Sequence, residues 1–180
     1  FDEVFKDEEY IVDAKGEALI AIYLFDVTEL KRYKRENEEQ KLVAGGFEAN
    51  KGRLPWPVEK GMISGKFGKQ QHAVYKQVVM DNKGIYIQTT AGMKARAIYK
   101  GEVTSCFMVG GTYAVIIQHG NYRTVYSNLS KLQVKQGDKV ETKQVIGTIF
   151  TDPEQDQKTE LYFQIYKDRN ILNPEQWITK

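Results

Sequence analysis

The sequence predicts a mainly β, antiparallel domain with a partly closed sheet and almost no helix. From about residue 54 onwards, apolar and polar residues alternate in short runs, which is the period of a half-buried strand. Glycine-containing turns such as Lys135-Gln136-Gly137-Asp138 separate these runs, because glycine tolerates positive φ. The 180 residues are 41% hydrophobic and 12% aromatic, a composition that supports a packed core.

Each strand is assigned from its own alternating run and from the turn that follows it. The late segment Asn173-Pro174-Glu175-Gln176-Trp177 predicts one helical turn. The predicted strands are residues 85–89, 95–99, 101–109, 114–119, 124–127, 139–142, 145–150 and 161–166.

The first 43 residues follow a different pattern. Residues 10–13 and 17–25 predict two strands of a hairpin, and Asp26 with Glu29 begins a charged helix that runs to about Val43. The Asp-Val-Thr at its start resembles the C-terminal end of a PAS domain and its signalling helix. The alternative is a hairpin and linker helix that belong to the same protein as the β domain. We predict three regions: a hairpin plus coiled-coil-like helix at 1–43, a linker at 44–53 and a β domain at 54–180.

Composition excludes several classes of protein. The 26 Lys and Arg residues nearly balance the 24 Asp and Glu residues, and no basic stripe with interleaved aromatics predicts nucleic-acid binding. No run approaches the ~20 apolar residues of a membrane span. Cys106 is the single cysteine and cannot form an internal disulfide. The chain opens at Phe1 without a signal peptide, so we expect it to be a fragment of a longer protein.

From Leu54 to Trp177 the sequence resembles the zinc-dependent murein endopeptidases of the lysostaphin/LytM type. Three runs carry most of the resemblance: residues 119–130 (HGNYRTVYSNLS), 134–140 (VKQGDKV) and 144–147 (QVIG). The resemblance implies a barrel-like LytM domain, also called a duplicated hybrid motif.

The chemical positions of that family are nearly all changed here. The family's His-x-Gly-x-Asp, which supplies two zinc ligands, reads Asn82-Lys83-Gly84-Ile85-Tyr86. Its His-x-His, a catalytic histidine and the third ligand, falls on Glu160-Leu161-Tyr162. Its Tyr-x-His-Leu, with a second catalytic histidine, reads Tyr126-Ser127-Asn128-Leu129.

These replacements remove the donors that zinc requires. A catalytic zinc site needs three ligands from Cys, His or carboxylate and an open position for water. Asn82 offers a neutral amide, and tyrosine phenols titrate near ~10. Glu160 alone is a competent ligand type, and His72 and His119, the two histidines, lie outside the motifs. The sequence therefore predicts no metal, no cofactor, no catalytic residue and no enzymatic activity.

The chain is similar to the EnvC-type activators of cell-wall amidases, which also lack the zinc ligands and carry a coiled coil ahead of the domain. The resemblance implies that the groove binds a regulatory element of an N-acetylmuramoyl-L-alanine amidase and relieves its autoinhibition during daughter-cell separation. It also implies a periplasmic or cell-envelope location. The candidate groove residues are Asn82, Tyr86, Asn128, Glu160 and Tyr162, with Lys83, Arg123 and Tyr126 on the groove wall.

Other interpretations stay open at this point. The tyrosines at 86 and 162 would, on a structural interpretation, only fill the volume of a lost metal cluster. Asn128 and Glu160 would only form cross-strand hydrogen bonds, and Arg123 would be a solvated charge. For the whole domain, the alternatives are a scaffold that binds peptidoglycan directly through its aromatic side chains and an active zinc endopeptidase with rearranged ligands. A sensor role for residues 1–43 is a minor alternative.

Overall fold

The computed structural model describes residues 46–180 together with the backbone of residues 11–12 and 18–19. In the N-terminal region, β1 (Ile11–Val12) pairs antiparallel with β2 (Ala18–Leu19). These two strands fall within the segments where the sequence predicts a hairpin. The predicted charged helix from Asp26 to about Val43 lies outside the described residues.

Residues 46–180 consist mainly of strands, the shortest of 2 and the longest of 11 residues. Residues 46–49 form a helical turn, and two 3₁₀ turns cover Pro153–Gln155 and Pro174–Gln176. In chain order, the strands are β3 (Met62–Gly65), β4 (Gly68–Gln71), β5 (Val79–Asn82), β6 (Ile85–Thr89), β7 (Lys94–Arg96), β8 (Gly101–Val109), β9 (Thr112–His119), β10 (Tyr122–Leu132), β11 (Lys139–Val140), β12 (Val145–Ile149), β13 (Thr151–Asp152), β14 (Lys158–Lys167) and β15 (Asn170–Leu172).

One large sheet forms the body of the domain. Its main path has the order β11-β8-β9-β10-β14-β6-β3. Strand β12 joins β10 to β7, while β13 and β15 pair with β14. Strands β4 and β5 form a separate two-stranded sheet, and all of these named strand pairs are antiparallel. The predicted fold class, mainly β with an antiparallel and partly closed sheet, is confirmed.

Alternation along the strands gives the large sheet two different sides. On β14, Leu161, Phe163 and Ile165 pack into the main core, whereas Tyr162 and Tyr166 belong to a second, smaller cluster. Successive side chains of a strand point to opposite faces, which explains this division. We call the side that carries Tyr86, Val125, Tyr162 and Tyr166 the site face, and the opposite side the core face.

The strand predicted at residues 95–99 is shorter than expected. Strand β7 ends at Arg96, and the next backbone groups bond to loops and side chains. The Ala97 N–H donates to Gln144 O (2.9 Å), and the Ile98 N–H donates to the Tyr126 hydroxyl (3.0 Å). Because these backbone N–H groups bond to a loop and to a side chain instead of to a neighbouring strand, the segment after Arg96 is not a strand. Strands β3, β4, β5, β13 and β15 are additional elements that the sequence pattern did not predict.

A residue from the predicted linker lies in the main core. Phe47 is fully buried, and its ring stacks on those of His119, Tyr122 and Trp177 at centroid distances of 4.9, 4.8 and 5.4 Å. The packed body of the domain therefore begins before residue 54, and the helical turn at 46–49 is part of it.

Candidate partner-binding site

Tyr86 and Tyr162, two positions where the LytM resemblance implies zinc ligands, lie directly opposite each other. They are register partners on β6 and β14. Their ring centroids are 4.6 Å apart, with an interplanar angle of 31°. Tyr162 is buried and Tyr86 is partly exposed. A ring–ring contact thus occupies the place where the family would bridge two strands with a metal ion.

Two glycines stand where neighbouring strands approach closely, and one of them makes room for Tyr86. A Cβ on Gly65 would lie 2.7 Å from Cδ2 of Tyr86, so a side chain there would displace the ring. A Cβ on Gly84 would collide with the Phe163 carbonyl and lie 2.6 Å from Cγ of Gln164. Gly84 is the glycine of the first motif, and the close approach of β14 explains why a residue without a side chain stands there.

Asn82, the first ligand position, ends β5 and is held by the residue that precedes the paired strand β4 in the same hairpin by two positions. Its Nδ2 donates to Lys66 O (2.9 Å), and the residue is 2% exposed. Its Oδ1 is buried and accepts no hydrogen bond from the described residues. The Oγ of Ser127 and the Oε1 of Gln164 are in the same state.

The carboxylate of Glu160 is engaged on both oxygens. Ser64 Oγ donates to its Oε1 (2.6 Å), and Lys158 Nζ lies 3.3 Å from its Oε2. The Ser64 bond ties β14 to the edge strand β3, whereas Lys158 lies on β14 itself, two residues before Glu160. The negative charge of Glu160 is therefore balanced by the positive charge of Lys158.

Asn128 sits in an irregularity of β10. Its φ is +70°, and the register between β10 and β9 shifts between Tyr126 and Leu129. Asn is among the few residues that adopt positive φ readily. The bulge directs its side chain towards β14, where Nδ2 donates to Glu160 O (2.6 Å). The cross-strand hydrogen bond considered for Asn128 is therefore present.

The three predicted wall residues lie in different environments. Lys83 forms an ion pair with Asp81 (2.7 Å). Arg123 is on the site face, with Cζ 5.9 Å from the ring centre of Tyr166 and Nη2 donating to Asp168 O (2.5 Å). Tyr126 is fully buried in the main core. Its parity on β10 places it on the core face, so the expectation that it lines a groove with Tyr162 is wrong.

The buried phenols near the sheet stay neutral. Burial raises the pKa of Tyr166 well above its usual range, and the nearby Arg123 guanidinium opposes this only in part. Burial likewise raises the pKa of Tyr126, against the hydrogen bonds from Thr124 and the Ile98 backbone. Tyr166 can therefore act as a hydrogen-bonding or stacking group on the site face, but it supplies no phenolate.

A zinc ion does not fit the donors at this site. Asn82 brings a neutral amide whose nitrogen is bound to Lys66 O, and Tyr86 and Tyr162 bring stacked rings. Within residues 46–180, no three His, Cys, Asp or Glu side chains lie close enough together to hold a metal ion. Zinc sites are built from such groups, so the side chains at this site do not match a zinc ligand set.

Both histidines are engaged elsewhere. His72 lies in the loop between β4 and β5, where its Nδ1 accepts from the N–H groups of Val74 (3.2 Å) and Tyr75 (3.1 Å). His119 is buried on the core face. Its ring nitrogens lie 2.8 Å from Lys100 O and 2.8 Å from Thr124 Oγ1, and burial lowers its pKa to about 4.

Sequence reasoning missed several residues that shape the site. Gln164 and Tyr166 follow Tyr162 at period two on β14, and Gln164 Nε2 donates to the Tyr166 hydroxyl (3.1 Å). That period was a usable signal. Ser64 contacts Glu160 from a segment outside the predicted strands, so the sequence held no local signal for it, whereas Lys158 stands two residues before Glu160, at the strand period.

Residues 80–174 match the model of peptidase family M23. Because this match covers more than half of the 180-residue chain, the protein belongs to peptidase family M23. The resemblance to a LytM-type domain is therefore confirmed. Within the described residues, no helix has the length and apolar character needed to cross a bilayer.

Named relatives place this domain within longer proteins. The murein hydrolase activator EnvC of Escherichia coli is 27% identical over 150 residues, which cover 81% of this chain and 34% of EnvC. Protein NMB1333 of Neisseria meningitidis is 32% identical over 139 residues, which cover 75% of this chain and 22% of that protein. The chain thus corresponds to only part of each relative.

A solved structure has the same architecture. One chain of the SpoIIQ–SpoIIIAH pore-forming complex is similar to this protein with a TM-score of 0.58 and 26% identity. The similarity covers 73% of this chain and 93% of that chain.

Proposed function

We propose that this M23 domain has no hydrolytic activity and instead binds and activates a cell-wall amidase. The observation that carries the proposal is the Tyr86–Tyr162 contact, with ring centroids 4.6 Å apart at two ligand positions of the family. An EnvC relative that activates murein hydrolases supports the amidase as partner. A similar chain found in a two-protein complex supports protein binding. The proposal places the protein in the periplasm or cell envelope.

The chemistry of the donors supports recognition over catalysis. Peptide hydrolysis in this family depends on a metal ion that brings the pKa of bound water near ~7. Neither an amide nor a stacked phenol pair replaces that ion. Glu160 has its charge compensated by Lys158 and its Oε1 bonded to Ser64, so it is a poor candidate for a general base.

The site face has features of an interface. Tyrosine and arginine are favoured anchors at protein interfaces, and the partly exposed side chains of Tyr86 and Arg123 lie on this one side of the sheet.

Activation follows from differential binding. The partner amidase exchanges between a blocked state and an open state, and the domain binds the regulatory element only when that element has left the amidase active site. To shift the equilibrium from 1:99 to 99:1, the domain must bind the open state about 10⁴-fold more tightly. Binding energy from the site face is the source of that difference.

The test is an amidase assay on dye-labelled peptidoglycan, with the amidase of the source organism and the full 180-residue chain. We expect the chain alone to release no dye and to increase release by the amidase at least tenfold. The variant Tyr86→Ser should lose most of the activation, and the surface control Met108→Ser should keep it. Dye release by the chain alone, abolished by a chelator, would overturn the proposal.

Direct binding to peptidoglycan is the second candidate, favoured by the partly exposed ring of Tyr86. Tyrosine rings stack on sugar rings as well as on protein side chains. A pull-down on purified sacculi distinguishes the two: retention on sacculi that Tyr86→Ser removes, together with no effect on the amidase, would favour the scaffold.

A further inference from the structure

The hairpin from Lys66 to Lys83 has an unusually apolar tip. It contains β4 and β5 and stands apart from the large sheet. Within residues 46–180, six large hydrophobic side chains are exposed, and four of them lie in this tip. They are Val74 (74% exposed), Tyr75 (66%), Val78 (50%) and Val79 (59%). A cluster of exposed apolar side chains of this kind marks an interaction surface.

The tip is organised by its own hydrogen bonds. Nδ1 of His72 accepts from the N–H groups of Val74 and Tyr75, and the His72 N–H donates to Val78 O (2.9 Å). The Val78 N–H donates to Tyr75 O (2.9 Å), and the rings of His72 and Tyr75 lie 5.3 Å apart. A preorganised loop loses less conformational entropy on binding, so these apolar side chains are presented in a fixed arrangement.

The same hairpin is positively charged. It contains four lysines and one aspartate, which leaves a formal charge of +3 with His72 neutral. Asp81 is already paired with Lys83 at 2.7 Å. Across residues 46–180, no carboxylate lies within ion-pair distance of the other three lysines, Lys66, Lys69 and Lys76. The surface therefore combines apolar side chains with uncompensated cations.

We infer that the Lys66–Lys83 hairpin is a second docking element, which binds an acidic segment with apolar side chains from the protein partner. The charge selects acidic side chains, and Val74, Tyr75, Val78 and Val79 supply the apolar contact. The base of the hairpin is continuous with the site face, because Gly65, the residue before Lys66, is the register partner of Tyr86. This continuity favours one protein that covers both surfaces over a lipid bilayer. The identity of that protein rests on the proposed function, whereas the chemistry of the surface does not.

The test uses the full chain and a fluorescent 16-residue peptide with glutamate and leucine at helical spacing. Its controls are the twin peptide with lysine in place of glutamate, and vesicles of phosphatidylglycerol. We expect the acidic peptide to bind at least tenfold more tightly than its twin. Raising NaCl from 50 to 500 mM should weaken the binding at least fivefold, because salt screens exposed charges.

Variants separate this inference from the proposed function. The pairs Val74→Ser/Tyr75→Ser and Lys69→Glu/Lys76→Glu should each weaken peptide binding at least tenfold, with thermal unfolding unchanged because the side chains are exposed. Tyr86→Ser should leave peptide binding unchanged while it abolishes amidase activation. Equal binding of the two peptides would overturn the inference, and so would binding to vesicles alone.

Discussion

Tyr86 and Tyr162 face each other across β6 and β14, and their rings tilt by 31° at a centroid distance of 4.6 Å. Both stand where the family resemblance implies zinc ligands. An aromatic contact therefore joins the two strands at this point, and it needs neither metal nor ionised groups. This arrangement leads to predictions about stability and about metal content.

The tyrosine pair should show measurable coupling in a double-mutant cycle. Tyr86→Ala, Tyr162→Ala and the double variant are compared by urea unfolding. Aromatic pairs contribute about 0.5–1.5 kcal/mol beyond the area that they bury, so we expect a coupling free energy in that range. The control is Tyr86→Ala combined with Tyr113→Ala on β9, two strands beyond β14, where effects should add within ~0.5 kcal/mol. Strict additivity of the 86–162 pair would contradict the prediction.

Restoring the family's ligands should create a zinc site. In the variant Asn82→His, Tyr86→Asp, Tyr162→His, three competent donors stand at the positions of the motif, and such donors bind zinc. We expect close to one zinc per chain by elemental analysis, against a small fraction in the wild-type protein treated identically. The control keeps Tyr86 and changes only Asn82 and Tyr162. A folded triple variant without zinc would show that these positions do not correspond to the ligand set.

Asn128 should tolerate glycine better than alanine. Both changes remove the hydrogen bond to Glu160 O, but only alanine keeps a Cβ at φ +70°. Left-handed backbone costs an L-residue roughly 1–2 kcal/mol, so Asn128→Gly should be more stable than Asn128→Ala by about 1 kcal/mol. Both should be less stable than wild type. The midpoints of urea unfolding measure this, and the reverse order of the two variants would refute the account of the bulge.

Acid should weaken the fold through His119. Burial lowers its pKa from 6.5 to about 4, so between these pH values the unfolded chain takes up a proton that the folded chain excludes. The stabilisation is therefore complete above pH 6.5 and is lost as the pH falls towards about 4. The loss is on the order of 3 kcal/mol.

Urea unfolding at pH 7.5 and 4.5 measures this loss. His119→Gln replaces the imidazole with a group that does not titrate, so its stability should change less between the two pH values. His72→Gln, which alters the exposed loop, should keep the wild-type dependence. If both variants have the same pH dependence, another group is responsible.

Phe47 should anchor the segment that precedes β3, the first strand of the large sheet in chain order. Truncating a fully buried phenylalanine costs about 3–5 kcal/mol, so Phe47→Ala should destabilise the domain by that amount. The neighbouring change Glu48→Ala, at an exposed position, should stay within about 0.5 kcal/mol of wild type. Thermal unfolding of the two variants provides the comparison. Similar melting temperatures would place Phe47 outside the cooperative core.

The sequence was most informative where strands carry strong alternation and end at glycine turns. The predicted bounds 85–89 and 101–109 match β6 and β8. Strand β4, with the sequence Gly-Lys-Gln-Gln, escaped prediction because glycine and long polar side chains have low strand preference. Phe47 escaped because a single apolar residue among glycines and charges has no period.

The sequence predicted part of the candidate site. The motif resemblance located Tyr86 and Tyr162, which the structure brings into contact, and their role in binding a partner stays a prediction. Tyr126 was misassigned because the bulge at Asn128 changes the side to which β10 residues point, so Asn128 and Tyr126 do not share a face despite a spacing of two. Glu160 pairs with Lys158 on its own strand, but its other partner, Ser64, lies on β3, and a contact between strands far apart in the sequence leaves no trace in the local pattern.

The division of the sheet into a core face and a site face also bears on descent. Leu161, Phe163 and Ile165 secure folding, while Tyr162 and Gln164, interleaved with them on the same strand, point away from that core. Substitutions at the site-face positions can therefore accumulate while the core-face residues keep the domain folded. A protein that exchanges its metal-binding side chains therefore keeps the same fold. The exchanged positions can then evolve contacts with a different binding partner.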